Sequence, residues 1–497
     1  MWEYFKILLN QGITPRRRGV ATLHHSLAVG PIGLPSYGRH GSTSLMQTRV
    51  NHSRYSCGIQ IFGSLMLLLL LFTSTLSAQA ELPDRLSLDQ AISIGLINNF
   101  NIKIRKQAEK IAENNNNRGT AGYYPIITVG VDQNNIISNT NLTFLSGDEL
   151  IVRGAVATTA AANFAVQWEL FDGYRRGATL RKLGNEVQLT KAYTRAEAEM
   201  TVADIIKAYI SLTLQTKLIG FTKENLEISR ARRDLAIAKE RIGSASGSSV
   251  LQARLDFNND SLTYFNQMLQ RDILQFQLLQ LLQINSDSPF EVDTSEVRLL
   301  QQSYEMLRQQ VLQQNTELLT ARFLIGTAEE EIREAKSAQY PGVFINSGSN
   351  FNFSRNPANF VIQNIALAPY LGVTAAYTLY DGNNIKRNIS NAKIQAETRR
   401  LEYENLQIRN AIQLNNLIAQ HQSFDQQANI LKDNIQISNE NLGIAIQQYR
   451  LGAITDVEFR EIQLKYIQSN FEVLQNQLQK ALLEADILRI TGNLIID

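Results

Sequence analysis

The chain has 497 residues, 44% of them hydrophobic and 19% charged, with a formal net charge of +2. That composition allows a large folded core and carries no charge excess that would draw the chain to nucleic acid. The one cysteine, Cys57, and four of the five histidines, His24, His25, His40 and His52, lie in the first 57 residues. Disulfides, Cys-ligated zinc and cysteine nucleophiles are excluded from the remainder, where a histidine-based triad would rest on His421 alone.

Residues 1 to about 45, with Arg16, Arg17, Arg18 and three prolines, fit neither a signal nor a domain. Arg49 and Arg54 then precede an apolar run over 65–72, which exits through Ala78-Gln79-Ala80. A basic flank, a short apolar core and a small-x-small exit predict a secretory signal peptide cleaved after Ala80, with Met46 or Met66 as alternative starts. The run is shorter than the ~20 apolar residues of a membrane-spanning helix. Cleavage removes seven of the 48 Lys/Arg and one of the 46 Asp/Glu, leaving a net charge of about −4.

Residues 81–284 and 303–497 read as two copies of one unit joined by a linker over 285–302. Ser87 and Gln90 form a capping box that opens a helix predicted to run to about Gly122. After Tyr124-Pro125 come two strands. In the second, Phe164, Val166, Trp168 and Leu170 alternate with Ala165, Gln167 and Glu169, one face for lipid and one for water. A proline-free helix from Gly173 to about Arg241 would be roughly 100 Å long at 1.5 Å per residue. The break Gly243-Ser-Ala-Ser-Gly247-Ser-Ser leads to a third helix over about 250–283.

The second copy repeats the landmarks: Gln314-Asn315 for Asn98-Asn99, Tyr340-Pro341 for Tyr124-Pro125, Tyr380-Asp381-Gly382 for Phe171-Asp172-Gly173, and Arg450-Leu451-Gly452 for Arg241-Ile242-Gly243. Its helices are expected at about 303–338, 383–451 and 455–490. Its strands carry Val343, Ile345, Phe351 and Phe353, then Leu371, Val373, Ala375, Tyr377 and Leu379. Each of the four runs spans about 10 to 13 residues, enough for a tilted membrane strand. Each half is thus one long helix antiparallel to two short ones stacked end to end.

Leu464, Ile467, Phe471, Leu474, Leu478, Ala481, Ala485 and Leu488 form a heptad seam. Leu431, Ile435, Ser438, Leu442, Ala445 and Tyr449 make one stripe, and Ile430, Ile437, Ile444 and Leu451 an adjacent one, so this helix needs neighbours on two sides. Aromatics gather where strand meets helix, at Tyr123, Tyr124, Phe171, Tyr340 and Tyr380, as in an interfacial girdle. A small soluble sandwich would need both sheet faces covered, against the polar set Gln167, Glu169, Asn346, Asn350 and Asn352. Four strands cannot close a membrane barrel, and an open edge in lipid leaves backbone groups unpaired, so the chain must oligomerise.

The residues Leu86-Ser-Leu-Asp-Gln-Ala91, Asn98-Asn99, Tyr124-Pro125, Leu170-Phe-Asp-Gly173, Ala208-Tyr209 and Tyr449-Arg-Leu-Gly-Ala-Ile-Thr-Asp-Val457 occur in the order of the TolC-type outer-membrane efflux family, which the chain resembles from about residue 86 to 492. The resemblance implies a mainly α fold with membrane β: a homotrimer whose long coiled-coil helices form an α-barrel tunnel through the periplasm and whose strands form a twelve-stranded barrel in outer-membrane lipid. It further implies a Gram-negative bacterium, a periplasmic adaptor protein and an inner-membrane transporter of RND, ABC or MFS type, with no cofactor and no catalysis. It places a periplasmic gate at Tyr449, Arg450, Asp456 and Glu458, and adaptor-docking turns at Gly243, Gly247, Gly452 and Thr455. Gln167 and Glu169 are expected in the barrel lumen. Phe459 and Ser248-Ser249 stand where further entrance acids would be expected.

From the residues themselves, Asp456 reads equally as a helix cap, Asp172 and Asp381 as caps rather than ligands, and His421 as a solvated surface residue. The competing reading is a non-conducting periplasmic coiled-coil scaffold or adaptor. No nucleotide-binding GxxxxGK[ST] motif is present, so any transport energy would come from elsewhere.

Overall fold

The computed structural model describes residues 83–285, 290–294, 303–358 and 361–494. The leader, the cleavage site after Ala80 and most of the 285–302 linker lie outside them. The first half runs β1 (Arg85–Leu86), α1 (Leu88–Asn98), α2 (Phe100–Asn115), β2 (Ile126–Thr143), β3 (Glu149–Phe171), α3 (Arg175–Arg241) and α4 (Gly247–Leu282). The second runs β4 (Glu291–Val292), α5 (Tyr304–Gln314), α6 (Thr316–Ser337), β5 (Gly342–Arg355), β6 (Gln363–Ala376), α7 (Asn384–Leu451) and α8 (Asp456–Thr491).

The expected capping box is present: Ser87 Oγ accepts from the Gln90 N–H, and the Gln90 side chain accepts from the Ser87 N–H. The helix it opens does not run unbroken to Gly122. It stops at Asn98, restarts at Phe100 and ends at Asn115. Asn99 leaves the helical region (ψ 120°), and its Oδ1 caps the next helix at the Ile102 N–H, 3.1 Å away. Asn315 does the same at Leu318, at 2.9 Å, and splits the expected 303–338 helix. An asparagine amide that bonds nearby backbone competes with the helix ladder.

The long helices begin alike. Gly173 and Tyr174, like Gly382 and Asn383, hold positive φ, while Asp172 and Asp381 each accept from the N–H four residues on, at 2.7 Å. These aspartates therefore hold the strand-to-helix corner.

β2, β3, β5 and β6 form one antiparallel sheet in that order. They are longer than the expected 10 to 13 residues, at 18, 23, 14 and 14, because ladder pairing carries the Asn-, Thr- and Ala-rich stretches that show no apolar alternation. Tyr377 and Leu379 lie past the end of β6. The register places Ile127 beside Val166, Val129 beside Phe164, Trp168 beside Ile345, Ile345 beside Val373 and Phe351 beside Leu367. Cross-strand partners share a face, so these residues form one continuous apolar surface. The opposite face carries Thr128, Asp132, Asn134, Gln167, Glu169, Asn346, Asn350 and Asn352.

The helices lie in a layer four deep. Towards the sheet the order is α2, α3, α6, α7, and towards the far end it is α4, α3, α8, α7. Midway, Leu86, Ile205, Tyr209, Leu212, Leu278 and Leu282 pack under the parallel pair β1–β4, and Tyr209 Oη reaches the Leu86 and Asp293 carbonyls. Leu307, Val311, Leu414, Ile418, Leu483 and Ile487 form the matching core of the second half.

The heptad seam of α8 is divided between neighbours. Leu478, Ala481 and Ala485 pack on Val202, Ile206 and Ile210 of α3, but Leu464 and Phe471 are exposed. The two stripes of α7 also separate as their spacing requires. Leu442, Ala445 and Tyr449 are buried, while Ile430, Ile437, Ile444 and Leu451 are all more than half exposed. Among the described residues no helix is long and apolar enough to cross a membrane.

Asn315 is the most heavily used of these breaks, because its Nδ2 also donates to the Ile490 carbonyl at 2.8 Å and its Oδ1 accepts from Asn410 at 3.2 Å. Asn315→Ala removes a buried cap and leaves those partners unpaired. It should cost about 2 kcal/mol, from a cap worth ~1 and a buried hydrogen bond worth ~1, read as a lowered midpoint in denaturant unfolding.

Candidate functional site

At the end of the helical layer remote from the sheet, α3 turns into α4 and α7 into α8. Gly243 (φ 74°) and Gly452 (φ 77°) end the long helices in the left-handed conformation, where a side chain would clash with its own backbone. Behind Gly452 the Ala453 N–H donates back to the Gln448 carbonyl. The next helices are capped by Ser246, whose Oγ accepts from the Ser249 N–H, and by Thr455, whose Oγ1 accepts from the Glu458 N–H. Glu458 completes a capping box by accepting from the Thr455 N–H at 2.7 Å. Hydrogen bonds from the Thr455 backbone and hydroxyl hold its carboxyl below the usual range.

The cap of α8 is therefore Thr455 and not Asp456, which is the first helical residue and aims its carboxylate sideways into the protein. Arg232 of α3 grips it with two parallel bonds, Nε to Oδ1 and Nη2 to Oδ2, both 2.9 Å. The Tyr449 hydroxyl donates to Oδ1, also at 2.9 Å. The Arg232 guanidinium, only 2% exposed, further pairs with Asp256 of α4. One buried cation thus joins α3, α4 and α8, and Tyr449 adds α7. Burial opposes the Arg232 charge, but hydrogen bonds and attraction from Asp456 and Asp256 outweigh it and raise its pKa. Burial, then the bond to Asp456, push the Tyr449 phenol well above its ordinary range.

The network continues up the layer. Arg460 of α8 forms a bidentate pair with Asp260 at 2.9 Å, Ser229 donates to Asp260, and Gln463, wholly buried, donates to Asn225 and Ser229. Lys239 bonds the Tyr449 carbonyl at 2.8 Å and lies over its ring, and Phe459 packs against the same ring at a tilt, 4.9 Å between centroids. A cleft of about 440 Å³ opens beside Arg232, lined by Ser248, Ser249, Gln252, Asp256, Asp456 and Arg460.

Of the expected gate residues, the fold brings Tyr449 and Asp456 together. Arg450 points outward beside Ile446 and Phe459, and Glu458 is an exposed capping residue. Arg232, Asp256, Asp260 and Arg460 escape a sequence reading because their partners lie up to 224 residues away. Their signal was four charged positions on otherwise core-facing stripes. At the sheet, Gln167 and Glu169 both lie on the polar face, and Glu169 accepts from Arg175 at 2.7 Å.

His421 is not a solvated surface residue. It is 6% exposed, with Nε2 3.0 Å from Glu484 Oε1 and Nδ1 3.0 Å from the Tyr304 hydroxyl. Its chain neighbours Gln420 and Gln422 point elsewhere, whereas Leu414 and Ile418, seven and three residues back, share its face.

Arg232→Ala strands Asp256 and Asp456 without their cation and should cost about 3–5 kcal/mol, the usual penalty for halving a buried pair, measured by denaturant unfolding. The raised pKa of Tyr449 means that the fold favours the neutral phenol. Its contribution is complete below the unfolded value of ~10 and is lost as pH rises through the higher folded value. Tyr449→Phe should therefore flatten the fall in thermal midpoint above about pH 10, without abolishing it, since Tyr209, Tyr304 and Tyr466 are raised too.

Residues 307–493 match the family model for the outer membrane efflux protein. The probable efflux pump outer membrane protein TtgC of Pseudomonas putida is 21% identical over 350 residues, spanning 68% of this chain and 70% of that protein. Among solved structures, CusC matches with a TM-score of 0.68 at 15% identity, over 82% of this chain and 92% of that one. The outer membrane protein VceC of Vibrio cholerae matches with a TM-score of 0.66 at 15% identity, over 82% and 96%. The second half thus carries the efflux family model, and the chain shares the fold of CusC and VceC over most of its length.

Proposed function

We propose that this outer-membrane protein acts as a homotrimer, the channel-tunnel subunit of a tripartite efflux or type I secretion system, conducting substrate passively from a periplasmic adaptor and an inner-membrane transporter to the exterior. The observation that carries the reading is that every layer of the chain is four elements wide and open at both edges. The sheet ends in the unpaired edges of β2 and β6. The helical layer ends in α4 and α7, which bear the unpartnered stripes Leu251, Leu255, Leu262, Leu269 and Ile430, Ile437, Ile444, Leu451. An edge that matches the opposite edge of another copy generates a ring. Three copies give twelve strands and twelve helices around one axis, a tandem duplication closing twice on itself.

The apolar sheet face then meets lipid and the polar face encloses water. The buried bonds of Arg232, Asp456, Asp256 and Tyr449 hold the tip helices against one another, so the entrance opens only if this latch gives way. The tip turns at Gly243, Gly247, Gly452 and Thr455 are the surface offered to an adaptor. The TtgC relative is named for an efflux pump, which favours a conduit over a scaffold.

Purified protein should run as a trimer and form pores in planar bilayers, and a trimer without conductance would sink the channel reading in favour of the scaffold. Arg232→Ala combined with Tyr449→Phe should raise single-channel conductance several-fold. Ile437→Asp, which puts a charge on the α7 stripe, should shift the purified protein from trimer to monomer in light scattering.

A further inference from the structure

We infer that Asp132, on the polar face of the sheet, sets the ion preference of the barrel. The assignment rests on the channel reading above. The four long strands carry five charged residues: Asp132, Glu149, Arg153, Glu169 and Arg355. Glu149 and Arg153 lie in the part of β3 that extends beyond β5, whose ladder begins at Thr158. Arg355, opposite Thr158, ends the apolar face, because Thr158 shares the parity of Phe164 and Trp168. That leaves Asp132 and Glu169 facing the lumen. Glu169 is matched by Arg175 at 2.7 Å.

Asp132 is exposed and has no ion pair among the described residues. Its surroundings on that face are neutral: Gly130 and Asn134 on its own strand, Ala161 directly across, Thr159 and Asn163 flanking it, and Asn352 beyond Ala161. It stands level with Val131, Phe351 and Leu367 of the apolar face, hence at membrane depth. Asp456, one of the expected gate residues, is 12% exposed and ion-paired with Arg232. Among the described strand residues, the charge on the lumen face without an ion-pair partner is Asp132.

A twelve-stranded barrel with strands ~4.8 Å apart and tilted ~40° has a radius of roughly 12 Å. That is close to the Debye length of ~10 Å at 0.1 M salt and far beyond the ~3 Å at 1 M. Three carboxylates at that radius should favour cations over anions about threefold at 0.1 M, and hardly at all at 1 M.

The test is the reversal potential of single pores under a KCl gradient. Near 0.1 M, Asp132→Asn should lower the cation-to-anion permeability ratio about threefold and Asp132→Lys should invert it, with both shifts vanishing near 1 M. Pores with unaltered reversal potentials in both variants would overturn the assignment alone. A wild-type trimer that forms no pore would overturn it together with the channel reading.

Discussion

A hydrogen-bonding edge cannot be left open in lipid. The sheet of this chain has two such edges, on β2 and β6, and among the described residues no fifth strand closes them. Each unpaired backbone group in hydrocarbon costs several kcal/mol, which outweighs any side-chain preference along the strand. On the reading proposed above, the apolar face running from Ile127 and Trp168 to Phe351 and Leu367 is completed by a closed ring of copies. The helical layer obeys the same logic with a weaker force. Burying one exposed leucine or isoleucine is worth about 1.5–3 kcal/mol, and α4 and α7 each carry a row of them. Sheet and helices are joined at two corners, α3 following β3 after three residues and α7 following β6 after seven.

That continuity concentrates demands on the corners. Gly173-Tyr174 and Gly382-Asn383 turn the chain with two successive left-handed residues, and the carboxylates of Asp172 and Asp381 then take up the first free helical N–H groups. At the first corner, Arg176 also donates to the Glu169 and Leu170 carbonyls and stacks on Tyr123. The strand end is thereby fastened at the corner, and the angle between sheet and helix is set locally. The tip is fastened differently, by charges whose partners lie on other helices. Such a latch is specific in geometry yet can be released, since each carboxylate regains hydration once exposed.

Features that depend on near neighbours in sequence were the legible ones. The capping box at Ser87 and Gln90, the glycines ending α3 and α7, and the corner aspartates each need only a few residues to declare themselves. The long helices were visible from the absence of proline, and the alternation of Phe164 to Leu170 announced a sheet with two unlike faces. The helix breaks at Asn99 and Asn315 were not legible, although both asparagines were noticed as landmarks of the two copies. An asparagine inside a helical pattern says nothing of whether its amide will bond outward or turn back to cap. The burial of His421 follows from its helical face and not from its polar chain neighbours. The role of Asp456 turned on Arg232, which no local pattern connects to it.

The same non-local polar groups explain how helices of this length hold one alignment. An apolar seam of leucines and alanines, such as that of α8 against α3, changes little in contact area when one helix slides by a turn. The pairs Arg232–Asp456, Arg460–Asp260 and Gln463–Asn225 do not tolerate such a shift. A displacement of one turn, about 5.4 Å, would break all three at once and leave buried charges without partners, a penalty larger than the apolar contacts could recover. The polar positions thus act as register marks along α3, α4 and α8, and the mark nearest the tip is Arg232 with Asp456 and Tyr449. One set of bonds thus fixes the alignment of the tip helices, so a change that loosens it should be felt first as a loss of helical register at the tip, while the sheet and the middle of the layer, held by strand pairing and apolar cores, stay in place.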